Sequence, residues 1–160
     1  MDVHLRRVQR ADLDAVLTLA EAEGLPIPAI NRANLHRFRN IVGDLGCDFD
    51  VATTRARLRG FVHVVYGRDL LRGNRASLLA LVGDSSEIRD ALLERAIDRA
   101  RRRQCCDLTG VAGPWLGSID DSPFAERGDC AGAMIRIDLQ GAREQSVAVV
   151  RTPPGALPAD

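Results

Sequence analysis

Lysine is absent from the 160 residues, so all 22 basic side chains are Arg. That excludes any chemistry built on a lysine nucleophile, a Schiff base or a phosphate-loop lysine. The bland source of the bias is base composition of the genome. Aromatic residues are also scarce, at 4% of the chain with a single Trp and a single Tyr. Charge of either sign in excess is lacking, because 22 Arg balance 22 acidic residues. Strong global steering toward nucleic acid or an anionic membrane is therefore not expected. No apolar run approaches the roughly 20 residues that cross a bilayer. The start, Met1-Asp2-Val3-His4, has no apolar signal core. The four cysteines, Cys47, Cys105, Cys106 and Cys130, form no CxxC pair with metal spacing. No metal site is expected, and the thiols read as reduced, buried, small apolar residues of a cytoplasmic protein. Redox sensing by the adjacent pair Cys105-Cys106 is the sharper alternative.

What is present is a chain that is 46% hydrophobic and 28% charged, which suits one ordinary globular domain. That domain is expected over residues 1–140. Residues 141–160 form an extension, with an edge strand at 145–151 and a Pro-rich tail from Pro153. The same edge strand offers a means of exchange between subunits of a homodimer.

The periodicities predict an order of elements. Leu5–Val8 is a short strand. Asp12 then caps a helix with an apolar stripe at Leu13, Val16, Leu17 and Ala20, stopped at Gly24. A second helix spans 31–42. Strands follow at 50–54, 60–66 and 77–82, the last two apolar on both faces and hence buried. The longest helix carries Ile88, Ala91, Leu92, Ala96 and Ala100 on one face. Strands at 108–112 and 134–139 complete an α/β (α+β) domain. Its central sheet is mixed and mainly antiparallel, of six to seven strands, with helices on both faces.

Several residues are candidates for chemistry. His63 and Tyr66 sit on opposite faces of one strand by its period of two. His63 suits a general base and Tyr66 a proton donor, against the plainer alternative that both pack. Trp115 either walls a pocket or anchors a loop. Asp84-Ser85-Ser86-Glu87 reads as a capping box, with Asp84 as N-cap. The run Arg99, Arg101, Arg102, Arg103 reads as cations complementing a helix C-terminus. Asp120-Asp121 reads as solvated loop acids.

Four phrases in this order resemble the GNAT superfamily of acyl-CoA-dependent N-acyltransferases. They are Leu5-Arg6-Arg7 with Asp12-Leu13; Phe49–Ala52 with Leu58-Arg59-Gly60-Phe61-Val62; Leu79-Ala80-Leu81-Val82 leading to Ile88 and Leu92-Leu93; and Phe124-Ala125-Glu126-Arg127-Gly128. The resemblance covers roughly residues 3–139. It implies acetyl-CoA or another acyl-CoA as donor, lying between the fourth and fifth strands with its pyrophosphate at the head of the long helix. It implies direct attack by a primary amine, on a small molecule or a protein. Carried onto this sequence, the donor site takes Leu81, Val82, Ser85, Ser86, Ile88, Arg89 and Ser118. The acceptor site takes Leu25, Ile27 and Trp115, and the catalytic pair would be His63 and Tyr66. The sequence departs from the family at four positions. The glycine positions of the pyrophosphate loop hold Glu87 and Arg89, Asp84 precedes them, and the usual Tyr is Ala125. A non-catalytic binding or regulatory module that has lost CoA binding is the alternative.

Overall fold

A computed structural model describes residues 2–27, 31–55, 57–71, 73–111, 114–116 and 134–139. The chain runs β1 (His4–Arg7), a 3-10 turn (Arg10–Asp12), α1 (Leu13–Ala22), α2 (Arg32–Gly43), β2 (Cys47–Thr54) and β3 (Arg57–Asp69). It continues through β4 (Gly73–Gly83), α3 (Ser86–Arg102), β5 (Cys105–Val111), a second 3-10 turn (Pro114–Leu116) and β6 (Met134–Asp138). This is the order expected from the sequence. The expected strand at 145–151, the Pro-rich tail and Asp120-Asp121 lie outside the described residues.

The six strands form one sheet in chain order. β4 and β5 are parallel and every other neighbouring pair is antiparallel. The parallel pair exists because α3 carries the chain back across one face of the sheet. On that face Ile88, Leu92, Leu93, Ala96, Ile97 and Ala100 of α3 pack on Val62, Val64, Leu78 and Leu81. Each fully buried Leu or Ile there contributes about 1.5–3 kcal/mol. On the other face Val16 and Ala20 of α1 and Phe38 of α2 pack on Phe49, Val51, Phe61, Ala80 and Val82. Helices therefore cover both faces, as expected. No helix among the described residues is long and apolar enough to cross a membrane.

α3 lies so close to the sheet because glycine is beneath it. A Cβ on Gly60 would stand 2.5 Å from Ile88 Cγ2 and 2.7 Å from the Val82 carbonyl oxygen. Such a clash forces the helix away or costs about 1–3 kcal/mol in strain.

Two bulges bend the middle of the sheet. The β3–β4 register passes from His63 opposite Ala80 to Val64 opposite Leu78, so Leu79 is an extra residue on β4. The β2–β3 register passes from Ala52 opposite Gly60 to Thr53 opposite Leu58, so Arg59 is an extra residue on β3. A bulge bends its strand and re-aims the side chains beyond it. Hence Ala76 and Leu78 face α3 before the bulge, and Leu81 does so after it.

Two local expectations are corrected. Asp12 does not cap α1 with its side chain. Its carboxylate instead accepts the Gln9 N–H at 2.7 Å and both Arg6 Nη1 and Nη2, at 2.7 and 2.8 Å. The bidentate guanidinium is the stronger donor, and it ties the first turn to β1. The N-cap of α3 is Ser85, one residue later than expected, so the Asp84–Glu87 capping box does not form.

Candidate active site

Beyond its bulge, β4 has no strand on one side among the described residues. β5 pairs with β4 only from Asn74 to Leu78. β4 continues to Gly83, so its outer residues 79–83 diverge from β5. The bend at Leu79 is the physical cause. Leu116 fills the base of this opening, since its Cδ1 would lie 3.0 Å from a Cβ added to Gly110.

A cleft of about 390 Å³ lies on the α1/α2 face at this opening. Its floor is Phe49, Phe61, His63, Leu79 and Ala80 of the sheet. α1 and α2 form the walls, and Trp115 stands at the β5 side. The lining is apolar apart from His63, Asn34 and Arg37, and among the described residues it has no carboxylate. Ala80 pairs with His63 across the sheet, so the His63 backbone is one strand spacing, about 5 Å, from the open strand.

His63 stacks on Phe49, with ring centroids 5.2 Å apart. Its Nε2 is enclosed and finds no hydrogen-bond partner among the described residues. Burial pushes the imidazole below its ordinary pKa, and the charge of Asp44 pulls only partly the other way. The ring is therefore neutral at pH 7 and able to accept a proton.

Tyr66 is on the opposite face, as the period of two requires, so the structure does not bring it to His63. Its hydroxyl donates to Asp48 Oδ2 at 2.8 Å, and Arg103 lies over its ring at 4.2 Å. Burial, then the bond to Asp48, raises its pKa strongly. Around it is a network that the sequence analysis missed. Asp48 and Asp50 are buried, and they meet Arg7, Arg95, Arg99 and Arg103. Burial alone would raise the Asp48 pKa, but bonds from Tyr66 and Arg103 and the charge of Arg99 hold it below the usual carboxylate value. Arg99 and Arg103 thus turn back onto β2, where only a helix-end role was expected.

The head of α3 continues directly from the open strand. Ser85 Oγ accepts the Ile88 N–H at 3.4 Å. Ser86 is exposed, and the Ile88 side chain is fully buried. Arg89 Cγ lies 2.9 Å from where a Gly83 Cβ would be, so the chain needs glycine to enter the helix here. Asp84 is not a bare negative charge. It pairs with Arg59, the bulge residue of β3, whose pKa it raises. The Leu81 and Val82 side chains are buried in the two cores, which leaves only their backbone to meet a ligand.

Of the expected acceptor residues, Trp115 lines the cleft. Leu25 is buried with α1 and α2, and Ile27 is half-buried. Neither is part of the cleft wall. Ser118 lies outside the described residues. Phe38, Phe49, Leu79, Asn34 and Arg37 belong to the cleft and were not singled out from the sequence. Phe38, Phe49 and Leu79 read only as apolar core until the bulge opens the floor.

No family model matches the chain, and no curated protein does. Solved structures do match its fold. Glucosamine-6-phosphate N-acetyltransferase from Arabidopsis thaliana aligns at TM-score 0.65 and 14% identity, over 79% of this chain and 89% of that one. A predicted acetyltransferase from Clostridium acetobutylicum, solved with acetyl-CoA, aligns at TM-score 0.57 and 13% identity, over 70% and 82%. A transcriptional regulator from Bacillus halodurans C-125 aligns at TM-score 0.59 and 22% identity, over 70% and 82%. At these identities the likeness is one of fold.

Proposed function

We propose that this chain, whose fold is that of the GNAT superfamily, is an N-acyltransferase that moves an acyl group from acyl-CoA to a primary amine. The observation that carries the proposal is the opening of β4 beyond Leu78 directly beside His63 and the apolar cleft.

The residues present fit an acyl-CoA arm. The bulge at Leu79 frees the edge of residues 79–83, where backbone N–H and C=O groups can pair with an amide-bearing chain as a missing strand would. The strand then delivers that chain to the head of α3, where the N–H groups of Ser86 and Glu87 suit a phosphate. Pairing with Arg59 offsets the negative charge of Asp84. When bound, acyl-CoA would supply an activated thioester: its acyl carbon would form the new C–N bond as the C–S bond breaks, and the leaving thiolate would take up, by way of His63, the one proton that the amine gives up.

The chain's own residues do the rest. The apolar walls of α1, α2 and Trp115 hold the amine and exclude water, which converts a bimolecular encounter into an oriented one. His63 is neutral and takes the proton that the attacking nitrogen loses. Tyr66 serves the fold through Asp48. The buried thiols Cys47 and Cys105 suit a cytoplasmic setting.

A specific observation favours a second possibility, a non-catalytic module. Ser85 already occupies the Ile88 N–H, and Glu87 and Arg89 stand where the family has small residues. Calorimetric titration with acetyl-CoA, CoA and longer acyl-CoAs separates the two. The proposal expects saturable binding, strengthened by Glu87→Gly. Absence of binding by all of them at millimolar concentration would leave the module.

A further inference from the structure

The cleft has a charge asymmetry that bears on which amine it takes, an inference that rests on the acyltransferase proposal for its chemistry but not for its binding test. Among the described lining residues, the titratable or charged side chains are His63 and Arg37. His63 is neutral at pH 7, because burial opposes its charged form. Arg37 is the one fixed charge, and it is positive. It sits on α2, one turn from Asn34, whose Oδ1 accepts from Arg37 Nη1 at 3.4 Å. A guanidinium offers five N–H donors in a planar fork, so this bond leaves donors for a second acceptor. Leu13, Val16, Leu17, Phe38 and Phe49 line the same cleft and offer only apolar contact.

We infer that the acceptor is a small amine with an apolar body and an anionic group, the anion on Arg37 and the amine reaching toward His63. Two alternatives fit worse. A polyamine would bring further cations to a lining that holds no carboxylate among the described residues, and an unpaired buried cation is costly. A simple apolar amine would leave Arg37 at the rim with nothing to recognise. A carboxylate on Arg37 gains a charge-assisted bond that the guanidinium fork can make bidentate. A cleft of about 390 Å³ is at the small end of ligand pockets, which suits a compound of this size.

The test uses direct binding to the full chain by calorimetry, without any acyl donor, so its outcome is independent of whether acyl-CoA binds. The probes are L-phenylalanine, phenethylamine and spermidine. L-Phenylalanine is expected to bind at least tenfold more tightly than either other probe. Arg37→Gln is expected to remove that preference, and Arg37→Lys to restore part of it. Arg37 is exposed on its helix, so both variants should fold, which circular dichroism checks. Equal or tighter binding of spermidine or phenethylamine would overturn the inference. So would no detectable binding of L-phenylalanine at millimolar concentration, or a preference unchanged by Arg37→Gln.

Discussion

His63 and Tyr66 are three residues apart on β3 and live in opposite circumstances. On the α3 face, Tyr66 gives its hydroxyl to Asp48, and Asp48 is held by Arg7 and Arg103. Tyr66, Asp48, Arg7 and Arg103 each have a hydrogen-bond partner there, while the Arg99 Nε of the same face meets its carboxylates only at 3.7 Å. On the α1/α2 face, His63 lies on Phe49 with an enclosed Nε2 that has no partner among the described residues, at the floor of an open cleft. A satisfied buried polar group stabilises a fold, whereas an unsatisfied one costs about 1–3 kcal/mol. The contrast separates a Tyr66 side whose hydroxyl is bonded within the fold from a His63 side that opens on a cleft, and the proposed function rests on the second.

The largest effect should separate the two faces by activity. His63→Gln should lower kcat by about 10²–10⁴-fold, the usual worth of a general base, while denaturant stability changes by less than about 1 kcal/mol. Steady-state kinetics and urea unfolding on the same preparation check this. Equal loss of stability and activity would break the comparison.

The next effect concerns the scaffold face. Asp48→Asn should destabilise the fold by about 2–4 kcal/mol. That is somewhat under the loss for a fully buried ion pair, because its arginines keep about a third of their side-chain surface exposed. Urea unfolding against pH adds a signature. The Asp48 pKa is lowered on folding, so its stabilisation is present above the unfolded value near 3.8 and is lost as pH falls through the folded value. Asp48→Asn should flatten that acid limb, and an unchanged limb would assign the effect elsewhere.

Much of the fold was legible because its signals are local. Asp12 to Gly24 brackets α1, Asn31 caps α2 by accepting the Asn34 N–H, and the apolar stripe of α3 has the right period. The opening of β4 was not legible. Leu78 to Val82 are all apolar, so the slip in alternation at Leu79 leaves no polar residue out of place to reveal the bulge. The buried network was half legible. Asp48 and Asp50 alternate with Phe49 and Val51, which looks like a solvated face, yet Arg95, Arg99 and Arg103 recur every four residues on α3. Only the packing of α3 across β2 joins the two patterns. The cleft followed the same logic, since Phe49 and Phe61 read as core until the sheet opened beside them.

The most direct test of the poised imidazole is its titration by NMR. The chain has three histidines, so the His63 signals can be assigned by their loss in His63→Gln. The account predicts a pKa below the ordinary value near 6.5 in the free protein, and a shift of the ring signals as acetyl-CoA saturates the site. A pKa at or above that value, with ring signals unmoved by acetyl-CoA at millimolar concentration, would contradict it.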